Sequence, residues 1–172
     1  LKEINMAIGI DGAGGFIDYN DTATSTTPLV LPDGVWVQLT NDGLGPFSNS
    51  RYCPHGIEQL MYTPSGELDL RELAYGDCVW VRNDYEVTPD VDKANLQLRY
   101  TLGAGAGQYT LEKFVATLSR GAGVGYRQTA ETDFLYAGDR NTKQNPVVLE
   151  LKLTGASGTC VNYGSVIEVL KR

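Results

Sequence analysis

The sequence predicts an all-β protein, an antiparallel β-sandwich or barrel in one domain, and three observations carry that expectation. Apolar and polar residues alternate with a period of two over several short stretches, as a strand with one wet face requires. Glycine is abundant, 20 of 172 residues against a usual share of about 7%, and it gathers in turns that separate the stretches. Helical periodicity is nearly absent.

Taken in chain order, strands are expected at 4–10 and 14–19. The stretch Asp21 to Pro28 is polar and rich in Thr, and reads as a crossing loop or an arm packed along a neighbour. Val35, Val37 and Leu39 then alternate with Trp36, Gln38 and Thr40. Residues 57–62 and 69–75 could form a helical turn or two, with Pro54 and Pro64 bracketing the first. A strand follows at 77–87, where Cys78-Val-Trp-Val81 is apolar on both faces and so suits a central strand covered on both sides.

Leu96, Leu98, Tyr100 and Leu102 alternate with Gln97, Arg99 and Thr101. Strands at 107–118 and 126–137 come next, then Val147, Leu149, Leu151 and Leu153 alternating with Glu150 and Lys152. The chain closes with strands at 159–164 and 167–170. Asp11-Gly12, Asp33-Gly34, Asn41-Asp-Gly43, Pro64-Ser-Gly66 and Gly155 to Gly158 are turn signals between them. No internal repeat is evident.

Charge excludes some functions. The net charge of −7 argues against a nucleic-acid surface spread over the whole protein. Residues 1–90 hold four basic and fourteen acidic side chains, whereas residues 91–172 hold ten basic and seven acidic. Such asymmetry fits an unevenly charged solvated surface, or opposed faces that steer assembly with copies of the chain or a basic partner. No apolar run approaches the ~18 residues of a membrane helix and no basic-then-apolar leader opens the chain, so neither a membrane-spanning helix nor an intact secretory precursor is expected. Leu1 at the start fits a processed product or a segment.

Cys53, Cys78 and Cys160 are too few and too irregular for a disulfide framework, which leaves three small thiols in a protein assembled in a reducing cytosol. His55 is two residues from Cys53, the pairing a Cys-His site would want, but Pro54 interrupts a regular strand and no nucleophile signature surrounds it. A structural histidine is the expectation, and isolated cysteines make a zinc site a poor fit.

Gly103 to Gly107 and Gly121 to Gly125 lead into strand-like sequence and lack the P-loop lysine, so hairpin turns are expected rather than phosphate loops. Asp18, Asn20 and Thr22 hold the first, third and fifth positions of a calcium loop, but Ala23 replaces the turn glycine and Leu29 the closing Glu. Paired carboxylates could serve a glycosidase, yet 21 acids on a strand-rich chain give no specific pair. Trp36, Trp80 and the tyrosines could stack on sugars, although strands and interfaces favour aromatics for packing reasons.

Several stretches together carry a resemblance: Trp36 to Gly45, Tyr52-Cys-Pro-His-Gly56, Ser65 to Leu70, Leu73-Ala-Tyr-Gly-Asp77, Val81-Arg-Asn-Asp84 and Tyr136-Ala-Gly-Asp139. They resemble small structural proteins of tailed bacteriophages, of the head-decoration or fibre-knob jelly-roll kind. The closing hairpin, 147–153 then 159–170, is also similar to the last strands of trimeric jelly rolls of the tumour-necrosis-factor type. The likeness covers roughly residues 34–172.

What the resemblance implies is a jelly-roll-like sandwich over 34–172, with 1–33 an extended amino-terminal arm or edge strands. It implies a non-enzymatic virion protein, a homotrimer assembled in the host cytoplasm that decorates the capsid surface by binding the major capsid protein. No catalytic residue, cofactor, metal, nucleic acid or membrane is expected. Phe16, Ile17, Tyr19, Leu29 and Leu31 of the arm are the candidate partner contacts. The alternative is a receptor- or glycan-binding knob at a fibre tip.

Overall fold

The computed structural model describes residues 14–172, apart from the side chains of Ala130 and Glu131; the strand expected at 4–10 lies outside the described residues. The longest strands are β6 (Cys78–Pro89) and β11 (Gly158–Leu170), which pair antiparallel along nearly their full length. β9 (Tyr126–Tyr136) joins the other side of β6. β1 (Gly15–Asn20) and β2 (Leu29–Leu31) both pair with the far side of β11, β1 on 164–169 and β2 on 158–160. This first sheet has the order β1-β11-β6-β9.

The second sheet has the order β3-β10-β7-β8, formed by β3 (Val37–Gln38), β10 (Val148–Thr154), β7 (Ala94–Leu102) and β8 (Tyr109–Leu118). A small ladder of β4 (Met61–Tyr62) and β5 (Glu67–Leu68) lies apart. The chain crosses between the sheets after β2, β6, β8, β9 and β10, the path of a jelly roll, and every ladder among the described residues is antiparallel.

Alternation decides which side chains enter the core. Val79, Val81, Tyr85 and Val87 of β6 face Leu96, Leu98, Tyr100 and Leu102 of β7 across the sandwich, with Leu149, Leu151 and Leu153 of β10 and Ile167 and Val169 of β11 beside them. All are buried. The two strands expected at 159–164 and 167–170 are one, interrupted by a register shift between Asn162 and Gly164. Gly164, at φ 144°, has the Tyr19 carbonyl oxygen 2.4 Å from where a Cβ would sit, so the approach of β1 demands glycine there.

Three expectations change. The closing pair is not a hairpin, because β10 and β11 lie in different sheets. The Gly103–Gly107 cluster does turn the β7–β8 hairpin, through a short 3-10 turn at Gly105–Gly107, but Gly121 to Gly125 carries the chain from one sheet to the other. No helix forms at 57–62 or 69–75, where β4 and irregular backbone stand instead. The short helices are α1 (Ala23–Thr26), inside the Thr-rich stretch, and α2 (Arg140–Gln144), which Asp139 caps by accepting from the Thr142 N–H.

Residues 14–33 are added strands rather than a free arm. Ile17 and Leu31 are buried in the chain's own core, and Leu29 pairs with Cys160. The Tyr19 hydroxyl accepts from the Leu60 N–H at 2.8 Å, half-buried against the same core. Of the five candidate partner contacts, only Phe16 projects openly to solvent. Even the edge of β1 is covered, by Asn49 and Tyr52 through bonds Asp18 N–H to Asn49 O and Phe16 N–H to Tyr52 O. At β1 the edge-strand problem is thus met inside the chain.

Two outcomes follow. Truncating Leu151→Ala leaves a void at the centre of the sandwich and lowers stability by about 2–5 kcal/mol in urea titration. Burial, reinforced by Asp21 and Glu86, pushes the Cys160 thiol up to about 12, so at pH 8 a thiol reagent leaves Cys160 unmodified in the native protein and labels it once the chain is unfolded.

Candidate self-association face

The first sheet turns an apolar half-face outward. Cross-strand register sets Phe134 of β9 beside Trp80 of β6, Trp80 beside Glu168 of β11, and Glu168 beside Phe16 of β1. The next register row down holds Tyr136, Cys78 and Leu170. Trp80 and Phe134 meet edge-on with centroids 5.2 Å apart, and Phe16 stacks on Tyr52 at the same separation. Such pairs contribute roughly 0.5–1.5 kcal/mol beyond burial, yet these rings are far from fully covered: Trp80 is 39% exposed and Phe134 47%.

Here the sequence expectation for Cys78 to Val81 is half met. β6 is central and its inner face is covered, but the described residues leave Trp80 on the outer face 39% exposed.

The same face is polar at its other half. Arg127 makes a two-pronged bond to Asp84, at 3.0 and 2.8 Å, and stacks its guanidinium 3.7 Å from the Tyr163 ring centroid. Nearby, burial raises the Asp18 carboxyl above its usual range, against the pull of Arg82. An apolar patch bordered by ion pairs is the anatomy of a protein interface.

A second uncovered region lies around the corner, at the β8–β9 flank. Tyr109 and Leu111 of β8 pair with the core residues Leu102 and Tyr100 and so belong to the inner side of the second sheet, yet Leu111 is 45% exposed. The sandwich gapes here over a cavity of about 110 Å³ lined by Leu98, Tyr100, Leu111, Lys113, Asp133 and Phe134, among others. Phe114, on the opposite side of β8, is exposed too.

A polar chain anchors this flank to the core. Ser165 donates to the Asn83 side-chain oxygen at 2.8 Å, Asn83 donates to the Tyr100 hydroxyl at 2.9 Å, and that hydroxyl donates to Asp133 at 3.0 Å. Lys113 closes the chain with an ion pair to Asp133. Burial first, and the Asp133 carboxylate next, push the Tyr100 hydroxyl well above its ordinary value, so it keeps its proton and stays a donor. The network links β11, β6, β7, β9 and β8.

The remaining sequence candidates sit elsewhere. His55 is exposed, its carbonyl accepting from Lys171, and the Cys53 thiol donates to the Ile57 carbonyl rather than pairing with the imidazole. The acids near the calcium-like loop serve the backbone: Asp21 accepts from the Thr24 N–H and hydroxyl, and Asp42 from Thr22. Among the described residues, no group of three or more His, Cys, Asp or Glu is placed to hold a metal ion. Trp36 lies between Arg99 and Lys152, each 4.4 Å from its ring, on the second sheet.

Sequence reasoning missed the open flank, because β8 lacks a clean alternation and exposure at a sheet edge depends on where the other sheet stops.

The fold defines an antiparallel jelly roll with an uncovered apolar face. No protein-family model matches the chain, and the search of curated proteins gives no match. Among solved structures it is similar to Eiger TNF from S. frugiperda, with 12% identity over 93% of each chain and a TM-score of 0.49.

Tyr100→Phe removes the hinge of the polar chain and leaves the Asn83 amide and Asp133 each one partner short. Chemical denaturation is expected to show a loss of about 1–3 kcal/mol with the sandwich retained by circular dichroism.

Proposed function

We propose that this chain is a structural, self-associating jelly roll, a homotrimer on a virion that decorates the capsid by binding the major capsid protein. The observation that carries the reading is the outward apolar half of the first sheet, Trp80 and Phe134 with Phe16 and Tyr52, which the described residues leave open. Half-exposed aromatic and aliphatic side chains offer about 100 Å² each, so the row gives about 400 Å² and the β8 flank about 300 Å², and the polar surroundings supply the rest of the roughly 800 Å² that each partner gives to a specific interface.

The two open regions differ in shape and adjoin at Phe134, which stands in the row and lines the flank cavity. A contact between them joins unlike patches head to tail, and such contacts form a closed ring when the rotation between copies permits. Three copies are the number that the trimeric resemblance implies. The Arg127–Asp84 ion pair would belong to the polar rim.

The virion assignment rests on the resemblance of residues 34–172 to small structural proteins of tailed phages. Physical economy supports it, since a trimer bound to a repeating lattice gains strength by multivalency from modest single contacts.

Light scattering on the purified protein is expected to give three times the chain mass, and empty capsids are expected to carry it down at a fixed ratio. Phe134→Arg replaces an apolar ring of the row, beyond the Glu168 already there, with a second charge and should yield single chains with an unchanged circular dichroism spectrum. A wild-type mass of one chain overturns self-association. Trimers that ignore capsids and bind cells instead overturn decoration in favour of the fibre knob.

A further inference from the structure

We propose that the lower end of the first sheet, where the 74–78 turn meets the end of β9, binds a carboxylate-bearing sugar of the uronic or sialic acid class. An open hollow of about 460 Å³ lies there, lined by Tyr75, Gly76, Cys78, Tyr136, Gly138 and Arg172. Its volume falls in the range of small-ligand sites. The cavity at the β8–β9 flank and another beside Asp18 are much smaller, about 110 and 60 Å³.

The chemistry of the lining is specific. Tyr75 and Tyr136 are 59% and 55% exposed, and exposed tyrosine rings give a pyranose an apolar platform with a hydroxyl at its edge. Arg172 lines the hollow, and the Lys143 ammonium stands 5.2 Å from the Tyr75 ring centroid. The guanidinium fork matches a carboxylate in two parallel bonds, which a neutral sugar cannot accept.

The acids nearby are already engaged. Asp77 is buried and accepts from the backbone N–H groups of Ala74 and Arg172, while Asp139 accepts from Thr142 at the start of α2. Those bonds hold Asp139 below the usual carboxylate range. Among the described residues the Arg172 guanidinium therefore faces the hollow with the side-chain carboxylates of Asp77 and Asp139 engaged elsewhere, and Lys143 stands beside its Tyr75 wall.

Two glycines hold the binding groups in place. A Cβ on Gly138 would lie 2.3 Å from the Tyr136 ring, and one on Gly76 would lie 3.0 Å from the Arg172 side chain. Both side chains thus rest directly on bare backbone. Asp77 fixes the walls on either side by tying the 74–77 turn to residue 172. Side chains seated in this way lose little freedom on binding.

The proposal goes beyond the structural role and does not depend on it, since light scattering reads association and ligand titration reads the hollow. A site repeated over a lattice would gain avidity for glycan-coated surfaces.

The test is saturation-transfer NMR and titration with D-glucuronate and N-acetylneuraminate, with D-glucose as the neutral counterpart, on the protein as it exists in solution. The expected result is saturable transfer to both acids and at least about tenfold weaker binding of glucose. Arg172→Gln is expected to weaken the acids by about tenfold and Tyr136→Ala to abolish transfer. Gly138→Ala displaces the Tyr136 ring without altering any binding group and should weaken binding several-fold with mass and circular dichroism unchanged. No saturable binding of either acid overturns the proposal, as does binding that is equal for glucose or indifferent to Arg172→Gln.

Discussion

The ladder between β6 and β11 is the interaction on which the molecule rests. Twelve paired positions run from Cys78 with Leu170 to Pro89 with Gly158, and every other element of the first sheet attaches to one of these two strands. Because side chains alternate across a strand, this one register decides at once what enters the core and what faces outward. A slip by a single residue would turn Val79, Val81 and Tyr85 to water and bring Trp80, Arg82 and Asp84 inside.

From that register comes the tension that gives the surface its character. The same sheet that fills the core with Val81 and Ile167 also presents Trp80, Phe134 and Phe16 to solvent. Apolar patches of this kind on a single chain mark places where other molecules bind. The polar chain from Ser165 to Lys113 fixes the sheets to one another next to the open flank, so the apolar groups there stand on a rigid support. At the lower end of the same face, tyrosines and cations gather around a hollow, and one sheet surface thereby passes from aromatic to cationic within two register rows.

Much of the fold was legible from the sequence. Alternation placed β7 at 96–102 and β10 at 147–153 within two residues of their observed bounds. Glycine clusters marked real turns, yet their partners were hidden: 103–107 joins strands of one sheet and 121–125 joins strands of two, and the same residues serve either path. α2 was overlooked although Asp139 and Thr142 carry a capping pattern, because five residues are too few for a helical period to show.

The sequence by itself determined the strand class, the approximate strands and the apolar side of each, since these follow from a period of two and local turn chemistry. Only the tertiary structure decided that Ile17 and Leu31 serve the chain's own core, that Trp80 and Phe134 share an uncovered row, and that Tyr75, Tyr136 and Arg172 meet around one hollow. Those are pairings between segments as far apart as Ile17 and Ile167. The periodicity of one strand does not specify which strand lies beside it, and the exposure of an edge is set by where the facing sheet ends.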